Sequence, residues 1–264
     1  PDRSETPSKR EHTIDVVVPG IGVEYTINEF QTVSVGIHKG FAPPGPGTSG
    51  VTDKAVDPET SMNTEIGFKS NKGLNSLEFT LFMNSYDNLL GADTAASGGG
   101  SDELFNGGAV DISGFELYLR RILVDNGRIQ MPLELAWTNT NSEFQESFDG
   151  FWGDVSKGDE LPYLPDTMIA LNLGLNVDKI SANISMKKTS EMRTVAGSGS
   201  ISGSNATDEL TIIDLGLRYA LQDNIRLSVG INNFMDDDGV VSRRPYGARP
   251  TMPRSFSLGV DYTF

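Results

Sequence analysis

Apolar and polar residues alternate strictly over long stretches of this chain, and that period of two constrains the fold more than any other feature. Ile169, Leu171, Leu173, Leu175 and Val177 alternate with Ala170, Asn172, Gly174 and Asn176. Similar runs occupy residues 213–221, 225–232 and 256–264. Successive side chains of a strand point to opposite faces, so these stretches read as strands with one apolar and one polar face. Helical spacing is nowhere sustained. Eleven strands are expected, over residues 14–27, 31–42, 62–72, 75–90, 110–124, 128–142, 164–177, 180–194, 208–221, 225–236 and 254–264. Many exceed the roughly 5–6 residues of ordinary globular strands and reach the roughly 9–11 that a tilted strand needs to cross a membrane.

The connections alternate short and long. The short ones are Asn28-Glu29-Phe30, Lys72-Gly73-Leu74, Asp125-Asn126-Gly127, Asp178-Lys179 and Gln222-Asp223-Asn224, residue types that suit tight hairpins. The long ones cover about 43–61, 91–109, 143–163, 195–207 and 237–253 and are rich in Gly, Ser, Pro and acid. Short turns on one side and long loops on the other are the asymmetry of an outer-membrane barrel. A soluble sandwich or solenoid rarely sorts its loop lengths this way.

Composition agrees once the alternation is taken into account. Hydrophobic residues make up 37% of the 264 and glycine contributes 29. A strand with one apolar face averages to a soluble-looking value, so low hydropathy does not exclude a membrane barrel. The net charge of −15 argues against a nucleic-acid partner, which needs a basic footprint. Cysteine is absent and His12 and His38 are the only histidines, which disfavours a thiolate or multi-histidine metal centre.

Several segments then resemble the TonB-dependent outer-membrane receptors. They are His38-Lys39-Gly40-Phe41-Ala42-Pro43-Pro44, the strand Pro58-Glu59-Thr60-Ser61-Met62-Asn63-Thr64-Glu65-Ile66-Gly67-Phe68-Lys69, and Leu81-Phe82-Met83-Asn84-Ser85-Tyr86-Asp87-Asn88-Leu89. Gly114-Phe115-Glu116, Leu161-Pro162-Tyr163-Leu164-Pro165, Gly230-Ile231-Asn232-Asn233-Phe234-Met235-Asp236 and the last strand Arg254–Phe264 follow in family order. The flavour is that of the ferric-dicitrate and siderophore receptors. The resemblance implies an all-β, antiparallel, up-and-down transmembrane barrel of 22 strands behind a globular plug. It also implies that Phe264 is read by the outer-membrane assembly machinery.

Eleven strands are half of such a barrel. Residues 1–264 are therefore expected to form the C-terminal part, with the plug and the N-terminal barrel half supplied elsewhere. The implied function is outer-membrane uptake of a scarce substrate, a ferric siderophore or ferric citrate, energised by the TonB complex acting through the plug. Lipopolysaccharide and lipid are the other implied partners. A passive porin or adhesin barrel, or a soluble β-sheet binding protein, are the alternatives. No catalytic constellation stands out, so no enzyme activity, cofactor or metal site is expected. Gly45-Pro46-Gly47-Thr48-Ser49-Gly50 matches a dinucleotide fingerprint only formally, since no helix follows. Asp236-Asp237-Asp238-Gly239 fails the EF-hand spacing.

Two loops could carry ligand. Residues 143–166 are acidic and include Phe148, Phe151, Trp152 and Tyr163, and residues 237–254 hold Arg243, Arg244, Arg249 and Arg254 with Tyr246. Arginine forks suit carboxylates and phosphates. Arg243, Arg244, Arg249, Tyr246 and Trp152 are the candidate ligand-binding residues for an anionic ferric chelate.

Overall fold

The computed structural model describes residues 15–43, 56–92, 104–150, 153–201, 203–244 and 247–264. Its strands are β1 (Gly20–Asn28), β2 (Gln31–Ala42), β3 (Glu59–Lys72), β4 (Asn75–Asp87), β5 (Leu90–Ala92), β6 (Leu104–Asn106), β7 (Val110–Asp125), β8 (Ile129–Phe144) and β9 (Phe148–Gly150). There follow β10 (Gly153–Val155), β11 (Thr167–Val177), β12 (Ile180–Thr189), β13 (Leu210–Gln222), β14 (Ile225–Asn232), β15 (Val240–Ser242), β16 (Arg249–Pro250) and β17 (Ser255–Tyr262). Eleven of them form one antiparallel sheet in the order β1-β2-β3-β4-β7-β8-β11-β12-β13-β14-β17. This is the expected up-and-down wall, with each strand beside its neighbours in sequence. The other six pair as β5–β6, β9–β10 and β15–β16 within the long connections, where only loops were expected.

Strand ends moved for identifiable reasons. The fourth strand stops at Asp87 because Asn88 takes φ 52°. The tenth stops at Asn232 because Asn233 takes φ 50° and Asp236 φ 57°. Asparagine and aspartate tolerate this left-handed region better than most residues. Pro132 lies inside β8 and cannot donate to the ladder. The β8–β11 pairing accordingly skips from Leu133↔Leu173 to Gln130↔Asn176. Opposite the proline is Gly174, where a Cβ would come within 2.8 Å of the ring.

The alternation survives intact across the sheet. Tyr25, Val33, Phe68, Phe79, Leu117, Trp137 and Ile169 are successive cross-strand partners on the apolar face. Phe115 joins this patch, with its ring centroid 4.9 Å from Trp137 and 5.9 Å from Phe79. The same row continues into Lys188 and Thr211, so it leaves the apolar belt at β12. There the belt has passed to other rows, such as Leu133-Leu173-Ile184-Leu215-Ile231-Phe256. Hydrogen-bonded rows that run obliquely to the belt are the signature of tilted, sheared strands. From Ile169 to Val177 the belt covers about 26 Å of strand, or about 20 Å of thickness at a tilt of about 40°.

The opposite face carries Glu65, Glu78, Glu116, Tyr118, Arg120 and Glu134, joined in part by Lys69–Glu78 (2.9 Å) and Arg120–Glu134 (3.6 Å) ion pairs. Gly114 sits on this face where a Cβ would meet the Asn139 carbonyl oxygen at 2.0 Å, so no larger residue fits without moving the backbone.

Candidate ligand-binding loops

The polar face changes character at the end where the long connections gather. Val110, Ile112 and Phe144 share its parity with Glu116 and Thr138, yet they are apolar. Val110 and Phe144 are fully buried, and with Val155 they form the hydrophobic cluster of the described residues, packed by Leu89, Phe148, Leu161 and Ala196. Phe148 meets Phe144 edge-on at 5.7 Å. The connections after β4, β8 and β12 thus lie over this end of the wall and build an ordinary core there.

Polar side chains fasten the connections to the strand ends. Glu59 Oε2 accepts the Leu90 amide at 2.8 Å. Asn106 bonds both ways to the Asp57 backbone at 2.9 Å. Glu146 accepts the Ala109 amide at 3.0 Å, and Ser142 Oγ accepts the Leu161 amide at 2.9 Å. Buried Asn233 donates to the Asp237 and Met252 carbonyls, each at 2.9 Å, and its Oδ1 accepts the Asp237 amide at 3.0 Å. Two carboxylates of the Asp-Asp-Asp-Gly stretch are likewise engaged. Asp237 accepts the Thr211 amide, and Asp236 accepts the Arg254 amide and faces its guanidinium at 3.4 Å.

Two arginines organise the segment 190–209. Arg193 is buried, with Nε 2.6 Å from Glu160 of the β10–β11 connection and Nη2 donating to the Gly199 carbonyl at 2.9 Å. Arg243 reaches over from the last long connection, donating from Nε to the Ala206 carbonyl and from Nη2 to the Gly203 carbonyl. Neither Arg193 nor Glu160 stood out in the sequence. Arg193 falls at the end of an expected strand, and Glu160 is one acid among many. Burial pushes the Asp166 carboxyl above its ordinary value, nearby Glu160 adds to this and Arg193 opposes it.

The remaining candidates are placed around this network. Arg244 is half-buried, its carbonyl accepts the Ser242 hydroxyl at 2.9 Å, and its buried Nη1 has no partner among the described residues. Arg249 is exposed and pairs across from Ser242 in the β15–β16 hairpin. Trp152 and Tyr246 lie outside the described residues, as does the Gly45–Gly50 stretch. Among the described residues no group of three or more His, Cys, Asp or Glu could hold a metal ion.

The comparisons with known proteins converge. The family model described as TonB dependent receptor-like, beta-barrel, matches residues 2–234. No curated protein matches the chain by sequence. Among solved structures, the ferric-catecholate import receptor of E. coli is similar over 93% of this chain and 34% of its own, with 19% identity and a TM-score of 0.71. The ferric yersiniabactin uptake receptor of Yersinia pestis matches over 93% of this chain and 37% of its own, with 16% identity and a TM-score of 0.71. The ferripyoverdine receptor of the Pseudomonas aeruginosa outer membrane matches over 93% and 32%, with 17% identity and a TM-score of 0.70. The chain spans about a third of these receptors' length, and at such identities the likeness shows the fold. Together with the wall, the sorted connections and the oblique apolar belt, these matches establish that the chain belongs to the TonB-dependent receptor β-barrel family of the bacterial outer membrane.

Proposed function

We propose that this chain is the C-terminal wall and loop platform of a receptor that imports a ferric siderophore or ferric citrate, energised by TonB through a plug. The carrying observation is the ordered end of the wall. Loops that merely shed water need no buried cluster, whereas these are packed and cross-braced as a binding surface requires. The solved receptors with the same fold are named for ferric catecholate, ferric yersiniabactin and ferripyoverdine. Arg244, Arg249, Tyr246 and Trp152 are the proposed ligand contacts, and Arg243 holds the neighbouring loop.

The unpaired edges of β1 and β17 require further strands. Eleven antiparallel strands leave both edges running in the same direction. An odd number of added strands closes such a wall with antiparallel seams, and a plug fills the space against the polar face. Lipid and lipopolysaccharide surround the outside.

Uptake of radio-iron by iron-starved cells tests the reading. Saturable accumulation from ferric citrate or a ferric catecholate chelate, lost when TonB is deleted, is the expected result. Unsaturable, TonB-independent entry would instead mark a passive pore.

A further inference from the structure

The polar face of the wall is not uniform in charge. In the half formed by β1, β2, β3, β4, β7 and β8 it carries Glu24, Glu65, Glu78, Glu116 and Glu134 with Lys69 and Arg120. Both of those cations are paired, Lys69 with Glu78 and Arg120 with Glu134. In the half formed by β11, β12, β13, β14 and β17 it carries Lys187, Arg218 and Arg226 with Asp214 and Asp261. These three cations are exposed and have no ion pair among the described residues. Asp214 is already engaged, accepting the Asn233 amide at 2.8 Å. One half is thus acidic with its cations neutralised, and the other presents cations that stand free.

Arg218 shows this most clearly. Its cross-strand partners are Ser181 and Ser228, its same-face neighbours along β13 are Gly216 and Ala220, and two of its diagonal neighbours are Lys179 and Arg226. The other diagonals are Asn183 and Gly230, so the ring around it holds no carboxylate. Diagonal neighbours, about 7–8 Å apart, are within reach of long side chains, and these like charges repel unless an anion joins them. Lys187 lies on the same face toward the outer end, about 20 Å along β12 from Ser181, the partner of Arg218. Between the two cations the face is low. It carries Ser185, Asn183 and Gly216, and the Asn183 side chain lies over Gly216, where a Cβ would collide with it. Beyond Arg218, at the end with the short connections, Lys179, Arg226, Asp223 and Asp261 line a cleft of about 260 Å³. They bring two charges of each sign, and Asp178, which also lines the cleft, is held by Arg128 at 3.0 Å.

We propose that the polar side of β12, β13 and β14 is the lane by which an anionic ferric chelate descends past the wall, drawn from Lys187 to Arg218 and released at the charge-balanced cleft beyond. Charge complementarity carries the assignment. The glutamate-rich half repels an anion, whereas this half offers it free cations, and the guanidinium of Arg218 is a fork suited to carboxylate or catecholate oxygens. The inference rests on the transport reading above, but it assigns a route along the wall and not a contact on the loops.

Binding and uptake by the full receptor in iron-starved cells separate the two. Ferric citrate and a ferric tris-catecholate chelate are the probes, and heat-modifiable gel mobility shows that each variant barrel is folded. For a probe that the parent accumulates, R218E should lower the maximal uptake rate about tenfold and leave binding to energy-depleted cells unchanged. R218Q should fall between R218E and the parent, and R218K should keep most of the parent rate. Unchanged uptake by R218E and R218Q overturns the lane and leaves transport standing. A loss in R218K as large as that in R218E does the same, because charge is then not what matters. Entry of vancomycin through R218E also overturns the lane, since such a leak marks Arg218 as the anchor of an acidic plug segment. A parent receptor that neither binds nor accumulates either probe overturns the transport reading, and the lane falls with it.

Discussion

The middle of the wall and its outer end are held together by different physics. In the middle, the backbone ladder joins each inner strand to both neighbours, and the apolar side chains face outward, where lipid replaces water. Val23, Leu217 and Leu258 are exposed there and need no core. At the outer end, Val110 and Phe144 are fully enclosed, and the connections are braced by charged and amide side chains. The first region is stable because of the medium it sits in. The second must supply its own interior, as a small soluble domain does. The proposed ligand contacts thus lie on the part that keeps its shape without help from the membrane.

The sharpest way to break this contrast is Phe144→Ala. Truncating a fully buried aromatic costs about 3–5 kcal/mol. That loss should appear as faster hydrogen exchange across residues 145–161, while heat-modifiable gel mobility, which reports the barrel, is unchanged. If mobility collapses as well, the two regions are one cooperative unit. The reverse test is Leu173→Arg in the centre of the belt, opposite Leu133 and Ile184. It should cost about 2–4 kcal/mol of barrel stability in lipid, against about 0–1 for an arginine near the interface at Val177. Chemical denaturation in liposomes reads both, and equal costs would mean that the belt is misplaced. Asn233→Ala removes the donors to two carbonyls and the acceptor of one amide at a buried position. It should destabilise the last long connection by about 1–3 kcal/mol, seen as protease cleavage within residues 237–253.

The smallest effect concerns Asp166. Its carboxyl is raised above its ordinary value in the fold, so the protonated form is favoured there. The associated stability is fully present below the unfolded-state value of about 3.9 and is lost as pH rises through the raised folded value. Asp166→Asn should therefore slightly slow exchange at residues 160–166 at neutral pH, and the difference from the parent should vanish near pH 3. A difference that grows on acidification would reverse the assigned sign.

The same contrast explains what the sequence disclosed. All eleven wall strands were legible, because lipid contact on one side forces a period of two on every strand. The braces were not. Glu59, Asn106 and Arg193 act over separations that no local pattern reports, and each looks like an ordinary polar residue of a strand end or loop. Val110, Ile112 and Phe144 did carry a signal, as apolar residues on a face that is polar elsewhere. Val110 and Ile112 passed as more alternation within an expected strand, and Phe144 fell in an expected loop. The short hairpins β5–β6, β9–β10 and β15–β16 were missed because Gly- and Ser-rich connections carry little strand propensity. Arg243 was legible as a cation on an outer loop, but not as the holder of the Gly203 and Ala206 carbonyls.

The oblique course of the apolar belt has a consequence for how such a wall is proofread. A slip of one residue between neighbouring strands would turn every side chain to the wrong face, and lipid would reject it. A slip of two residues keeps each face correct and merely raises the rest of the wall by about 6–7 Å. Alternation is blind to that error. The strand-end fasteners are not, because Glu59 reaches the Leu90 amide, and Asn233 the Met252 carbonyl, in one register only. These side chains are therefore indexing pins, and a receptor that lost them would still look like a barrel while its loops met at the wrong heights.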